Sequence, residues 1–158
     1  MSPILMSFCK INMNSTVNVL LLSIILVSCN VSPGVYSNAE CYNVKMSKDS
    51  LIKEVKLFKE KNAEFNLPEG VKFEEGITDF TGLYYFYFYF EDVNVILLSW
   101  IRENTFESST FAIVSIQDCK GCMWKDVNDD LSKNENEFYK EVFENRILSK
   151  VSSNWEKR

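Results

Sequence analysis

The stretch Leu83-Tyr84-Tyr85-Phe86-Tyr87-Phe88-Tyr89-Phe90, LYYFYFYF, carries the reading of the fold. Seven aromatics stand in a row, and from Tyr85 onward tyrosine takes the odd positions and phenylalanine the even ones. Aromatic residues favour the pleated strand. On a strand successive side chains face opposite ways, so Phe86, Phe88 and Phe90 share one face and Tyr85, Tyr87 and Tyr89 the other. Phenylalanine has no polar atom and suits a face beneath helices. Tyrosine joins an apolar ring to a hydroxyl that wants water or a partner. Tyr85, Tyr87 and Tyr89 therefore form a candidate binding surface for a protein or a small ligand. A core covered on both sides is the competing reading.

The neighbours of this stretch extend it into a sheet. Val71 to Ile77 alternates well enough for a short strand. Glu91-Asp92-Val93-Asn94 suits a hairpin turn, and VILLSWIR, 95–102, reads as the next strand. That strand is apolar on both sides, so part of its second face must also be covered. After a polar connection over 103–109, TFAIVSIQ at 110–117 gives another strand. Short connections between successive strands imply an antiparallel meander.

Helical spacing appears before and after the strands. Leu51, Val55, Phe58 and Phe65 recur on one face of a helix over 47–66, with Ser47 or Asp49 as its cap. A second helix is expected over 135–155, with Tyr139, Val142, Phe143, Ile147 and Val151 on one face, and with Ser132 and Glu135, or Asn134 and Glu137 two residues later, as a capping box. The expected fold class is α+β: an antiparallel meander sheet of three to four strands flanked by an N-terminal and a C-terminal helix.

The amino-terminal segment concerns address and not fold. Val17 to Val27, VNVLLLSIILV, is too short to span a bilayer but suits the apolar region of a secretory signal. Leu26-Val27-Ser28-Cys29 follows at once and resembles the lipobox of bacterial lipoproteins. That resemblance implies cleavage before Cys29, a diacylglyceryl thioether on its sulfur and an acylated new amino terminus. Several acyl chains bury enough methylenes for stable anchoring. The implied partner is the membrane. The implied address is the bacterial cell envelope, at the outer membrane facing the periplasm, since Asn30 is permissive for transfer there. The expected organisation is a signal peptide over 1–28, a tether over 29–40 and one α+β domain over 41–158.

Composition narrows the chemistry. Hydrophobic residues at 46% and charged ones at 25% describe a globular chain. A net charge of -5 argues against nucleic acid, which calls for a basic patch. The chain has no histidine, which removes Ser-His and Cys-His nucleophiles and the usual zinc sites. No cofactor is expected. A carboxylate pair could still hydrolyse a sugar without imidazole. Acidic pairs such as Glu74-Glu75 and Asp129-Asp130 read as surface charge.

Two short motifs complete the reading. Cys119-Lys120-Gly121-Cys122 resembles a thioredoxin-type redox pair, but too little chain follows it for that fold. In an exported protein one disulfide among Cys41, Cys119 and Cys122 is the simpler expectation, the local Cys119–Cys122 pair being favoured by proximity. The segment from Asp126 resembles an EF-hand calcium loop, with Asp126, Asn128, Asp130, Ser132, Asn134 and Glu137 at ligand positions. Leu131 stands where that loop needs glycine, so a solvated acidic loop capping the last helix is expected instead. The expected function is a lipid-anchored, non-enzymatic binding or protective module, comparable to immunity proteins in size, charge and address alone. An envelope hydrolase using a carboxylate pair is the alternative.

Overall fold

The aromatic stretch is strand β3, Tyr84–Phe90, near one edge of an antiparallel sheet. The structure, a computed structural model, describes residues 36–77, 81–118 and 123–158. The other strands are β1 (Glu40–Val44), β2 (Gly76–Ile77), β4 (Val95–Thr105), β5 (Ser108–Asp118), β6 (Trp124–Asp126) and β7 (Trp155–Lys157). Helix α1 spans Lys48–Lys61 and ends near a 3-10 turn, Ala63–Phe65. Helix α2 spans Lys133–Phe143, passes into a π-helical segment, Glu144–Leu148, and ends in a short turn, Ser149–Val151.

The sheet has seven strands in the order β2-β3-β4-β5-β1-β7, with β6 paired to β5 as well. The expected meander is its β2-to-β5 half. The expected strand count was low because β1, β6 and β7 were not recognised. All three pair on the far side of β5, directly or through β1. β1 takes the Ser109–Ile113 half of β5 and β6 takes the Ser115–Gln117 half. Between the halves, a bulge in the β4–β5 register falls at Val114. The Val114 carbonyl accepts from the Val127 N–H at 2.8 Å, so the bulge anchors the chain leaving β6.

Both helices pack on the phenylalanine face. Leu51, Val55 and Phe58 of α1 and Phe143, Ile147 and Leu148 of the C-terminal helix share one buried cluster with Phe86, Phe88, Phe90, Ile101 and Phe111. Each such side chain contributes roughly 1.5–3 kcal/mol by burial. Ser47 caps α1, its hydroxyl accepting from the Ser50 N–H. Ser132 and Glu135 form the expected capping box of α2. Three expectations shift. α1 stops at Lys61 and does not run to 66. Of 71–77 only Gly76–Ile77 is strand. The C-terminal helix ends at Val151, and Trp155 belongs to β7. Among the described residues no helix is long and apolar enough to cross a membrane.

Ordered contacts reach back to Tyr36, within the stretch expected as a tether. Tyr36 closes a turn through its carbonyl to the Ala39 N–H, and its ring packs edge-on against Tyr85 at 6.2 Å. Cys29 and the segment around it lie outside the described residues.

Candidate functional site

β3 delivers its tyrosines to the face away from the helices, and the three fare differently. Tyr85 is 8% exposed and sits in a second buried cluster with Leu83, Trp100, Ala112 and Val114. Tyr87 is half-buried, stacked on Phe73 at 4.8 Å and tilted against Trp124 at 6.2 Å. Tyr89 is half-buried too, and its hydroxyl donates to Asn94 Oδ1 at 3.1 Å in the β3–β4 turn. The expected stripe exists, but its members are not equivalent. Tyr85 is core, Tyr87 belongs to a surface cluster, and Tyr89 holds a turn.

The surface cluster joins residues far apart in sequence. Phe73 comes from the irregular chain before β2, Tyr87 from β3 and Trp124 from β6, with Phe73 and Trp124 5.5 Å apart. Tyr36 stands beside it, edge-on against Tyr85 at 6.2 Å, with the two hydroxyls near one another. Burial first, then the nearby Tyr85, Tyr87 and Asp126, push the Tyr36 hydroxyl well above its ordinary range, so it remains a neutral donor. Burial, Tyr85 and Glu75 likewise raise Tyr87. Asp126 adjoins this patch, raised by its own burial and by Asp130 and Asp129 beside it. The arrangement is a half-exposed aromatic platform with an acidic border. It can stack on flat or cationic groups and attract positive charge.

In the buried cluster around Tyr85, one polar atom has no partner among the described residues. Trp100 is 4% exposed, its indole N–H meets no acceptor among the described residues, and the Arg102 guanidinium lies over its ring at 5.4 Å. An unpaired buried donor costs about 1–3 kcal/mol.

The calcium-loop residues are used otherwise. Asp130 accepts from the Asp126 N–H at 2.8 Å. Asn128 takes a left-handed backbone, φ 67°, donates to Glu40 Oε2 and accepts from Lys140. Glu137 lies on the helix surface toward Lys133. The four candidates Asp126, Asn128, Asp130 and Glu137 do not converge, and among the described residues no three acidic or thiol groups gather as ligands. Cys41 carries a free thiol opposite Ala112. Cys119 and Cys122 lie outside the described residues.

The closest-knit carboxylates are structural. Glu40 binds Lys140 at 2.6 Å and Lys157 at 3.0 Å, and Lys157 reaches Glu144 at 3.6 Å. Glu144 also accepts from the fully buried Tyr42 hydroxyl at 2.8 Å. Every member has a partner, so this network ties β1, β7 and α2 together and offers no free acid or base. Sequence reasoning named the tyrosines but missed Tyr36, Phe73 and Trp124. Each stands in a short irregular or three-residue segment where no periodicity marks it.

Comparison with known protein families, with curated proteins and with solved structures finds no match.

Proposed function

We propose that this chain is a lipid-anchored cell-envelope protein, held through Cys29, that acts as a non-enzymatic binding or protective module. Its contact surface is the platform of Phe73, Tyr87 and Trp124 with the acidic border at Asp126, Asp129 and Asp130. Its partner is a basic protein surface, whose lysines and arginines stack on the rings and pair with the carboxylates. The observation that carries this reading is the half-exposed stack of Tyr87 on Phe73, on the face that the helices leave uncovered. The net charge of -5 supports the sign of the partner.

Two experiments test it. Cells expressing the chain are labelled with radioactive palmitate, and label is expected on the wild type and absent from Cys29→Ser. Label retained by Cys29→Ser removes the anchor. Envelope proteins are then captured on the full chain at low and high salt. Basic proteins that bind at low salt, and are lost from Tyr87→Ala and from Asp126→Asn/Asp130→Asn, are the expected result. Equal capture by all variants removes the platform as the site.

A further inference from the structure

On the other side of the molecule, a groove of 400 Å³ runs between the end of α1 and the π-helical segment. That volume lies at the small end of ligand sites, which span about 300–1,000 Å³. Leu57, Phe58 and Phe65 give it an apolar lining, and Phe58 and Phe65 pack ring to ring at 5.2 Å. Three cations border it: Lys61, Arg146 and Lys150, against one carboxylate, Glu54. This is a local excess of positive charge on a chain whose net charge is -5.

The cations are not equally committed. Arg146 forms a two-pronged pair with Asp92, at 2.9 and 2.7 Å, which fixes its guanidinium. Lys61 and Lys150 are exposed, and neither has an acidic partner among the described residues. The π segment shapes the groove. Ile147 and Leu148 are buried within it, while Asn145 and Arg146 line the groove, and Ser149 Oγ binds the Asn145 carbonyl at 3.0 Å. Such insertions cost regular helical bonding and recur at functional sites. Asn62 brings a side-chain amide to the opposite wall, where its own N–H₂ is bound to the Phe58 carbonyl at 2.7 Å.

We infer that this groove is a binding site for a small organic anion with an apolar body, the carboxylate or equivalent acid between Lys61 and Lys150 and the body against Phe58 and Phe65. An apolar floor alone would take neutral ligands, and lysines alone would take any anion. The two together select molecules that carry both features. The site is independent of the aromatic platform and of the lipid anchor.

Phenylbutyrate is the probe, with its neutral counterpart phenylbutanol and with acetate as controls. Amide shifts of the full chain are followed by two-dimensional NMR. Phenylbutyrate is expected to give saturable shifts at Asn62, Phe65 and Asn145. Phenylbutanol is expected to bind about tenfold more weakly, the loss of one charge-assisted contact, and acetate more weakly still. The double variant Lys61→Glu/Lys150→Glu, both exposed and unpaired, is expected to lose at least about tenfold in phenylbutyrate affinity while its remaining spectrum is kept. Leu57→Glu is expected to weaken phenylbutyrate and phenylbutanol alike. The inference fails if no shift saturates, if the alcohol binds as tightly as the acid, if the double variant binds as the wild type, or if the shifts map to Trp124 and Tyr87.

Discussion

The two faces of the sheet use alternate residues of the same strands and are finished to different degrees. On the helix face Phe86, Phe88, Ile101 and Phe111 are sealed by two helices, and the buried hydroxyl of Tyr42 has its acceptor in Glu144. On the tyrosine face the cover among the described residues is a lead-in turn at Tyr36, one ring from Phe73 and a three-residue strand, and there the Trp100 N–H has no acceptor. Apolar content does not separate them, since both hold buried clusters. What separates them is whether polar atoms and ring edges are satisfied among the described residues.

The comparison breaks first if the helix face proves expendable. Phe143→Ala removes a ring that packs on both Tyr42 and Phe111 and should cost about 3–5 kcal/mol, read as a lower denaturant midpoint at unchanged slope. Tyr85→Ala on the other face, under a thinner cover, should cost about 2–3 kcal/mol in the same assay. A larger loss for Tyr85 than for Phe143 would reverse the ranking of the faces.

Glu40 sharpens the contrast from the polar side. Burial pushes its carboxyl up, but the bonds from Lys140, Asn128 and Lys157 outweigh that and hold it below the ordinary glutamate value of 4.5. A carboxyl lowered in the fold stabilises above its unfolded value, and that stability is lost as pH falls through the lowered one. Glu40→Gln should therefore cost about 2 kcal/mol at neutral pH and flatten the fall in melting temperature below 4.5. An unchanged acid limb would take Glu40 out of the network's energetics.

Smaller effects belong to the platform. Tyr87→Ala should cost about 1 kcal/mol, the stacking with Phe73 and part of its burial, while abolishing capture of the basic partner. Smallest of all is Phe106→Ser at the tip of the β4–β5 hairpin, 84% exposed, expected within about 0.5 kcal/mol and without effect on capture. A capture defect there would move the contact surface to the hairpin.

Legibility followed periodicity. The division of LYYFYFYF into a buried phenylalanine stripe and a tyrosine stripe was readable because period two is written into six consecutive residues, Tyr85 to Phe90. The caps were readable to within two residues, Ser47 against Asp49 and Ser132–Glu135 against Asn134–Glu137, because caps act over three residues. β1, β6 and β7 were not. Strands of three to five residues owe their state to the strand beside them, and Glu156 and Lys157 show no apolar alternation. The polar stretch 103–109 reads as a connection because it holds no apolar alternation, yet it carries the end of β4 and the start of β5, with Ser109 buried beside β1. The aromatic platform was half legible, since Tyr87 lies in a pattern while Phe73 and Trp124 reach it only through tertiary pairing.

One contact near β3 has a meaning for life at high local concentration. β2 covers only Tyr84 and Tyr85, so the backbone of Tyr87 lies beyond its neighbour. Glu75 accepts from the Tyr87 N–H at 3.0 Å, and Lys59, paired with that same carboxylate, donates to the Tyr87 carbonyl at 2.8 Å. A long aromatic strand with free backbone groups invites a second copy to add on edge to edge, the route into fibrillar stacking. Two side chains of opposite charge occupy the groups that a newcomer would need. If the chain is anchored to a membrane as proposed, that guard works against edge-to-edge pairing of neighbouring copies.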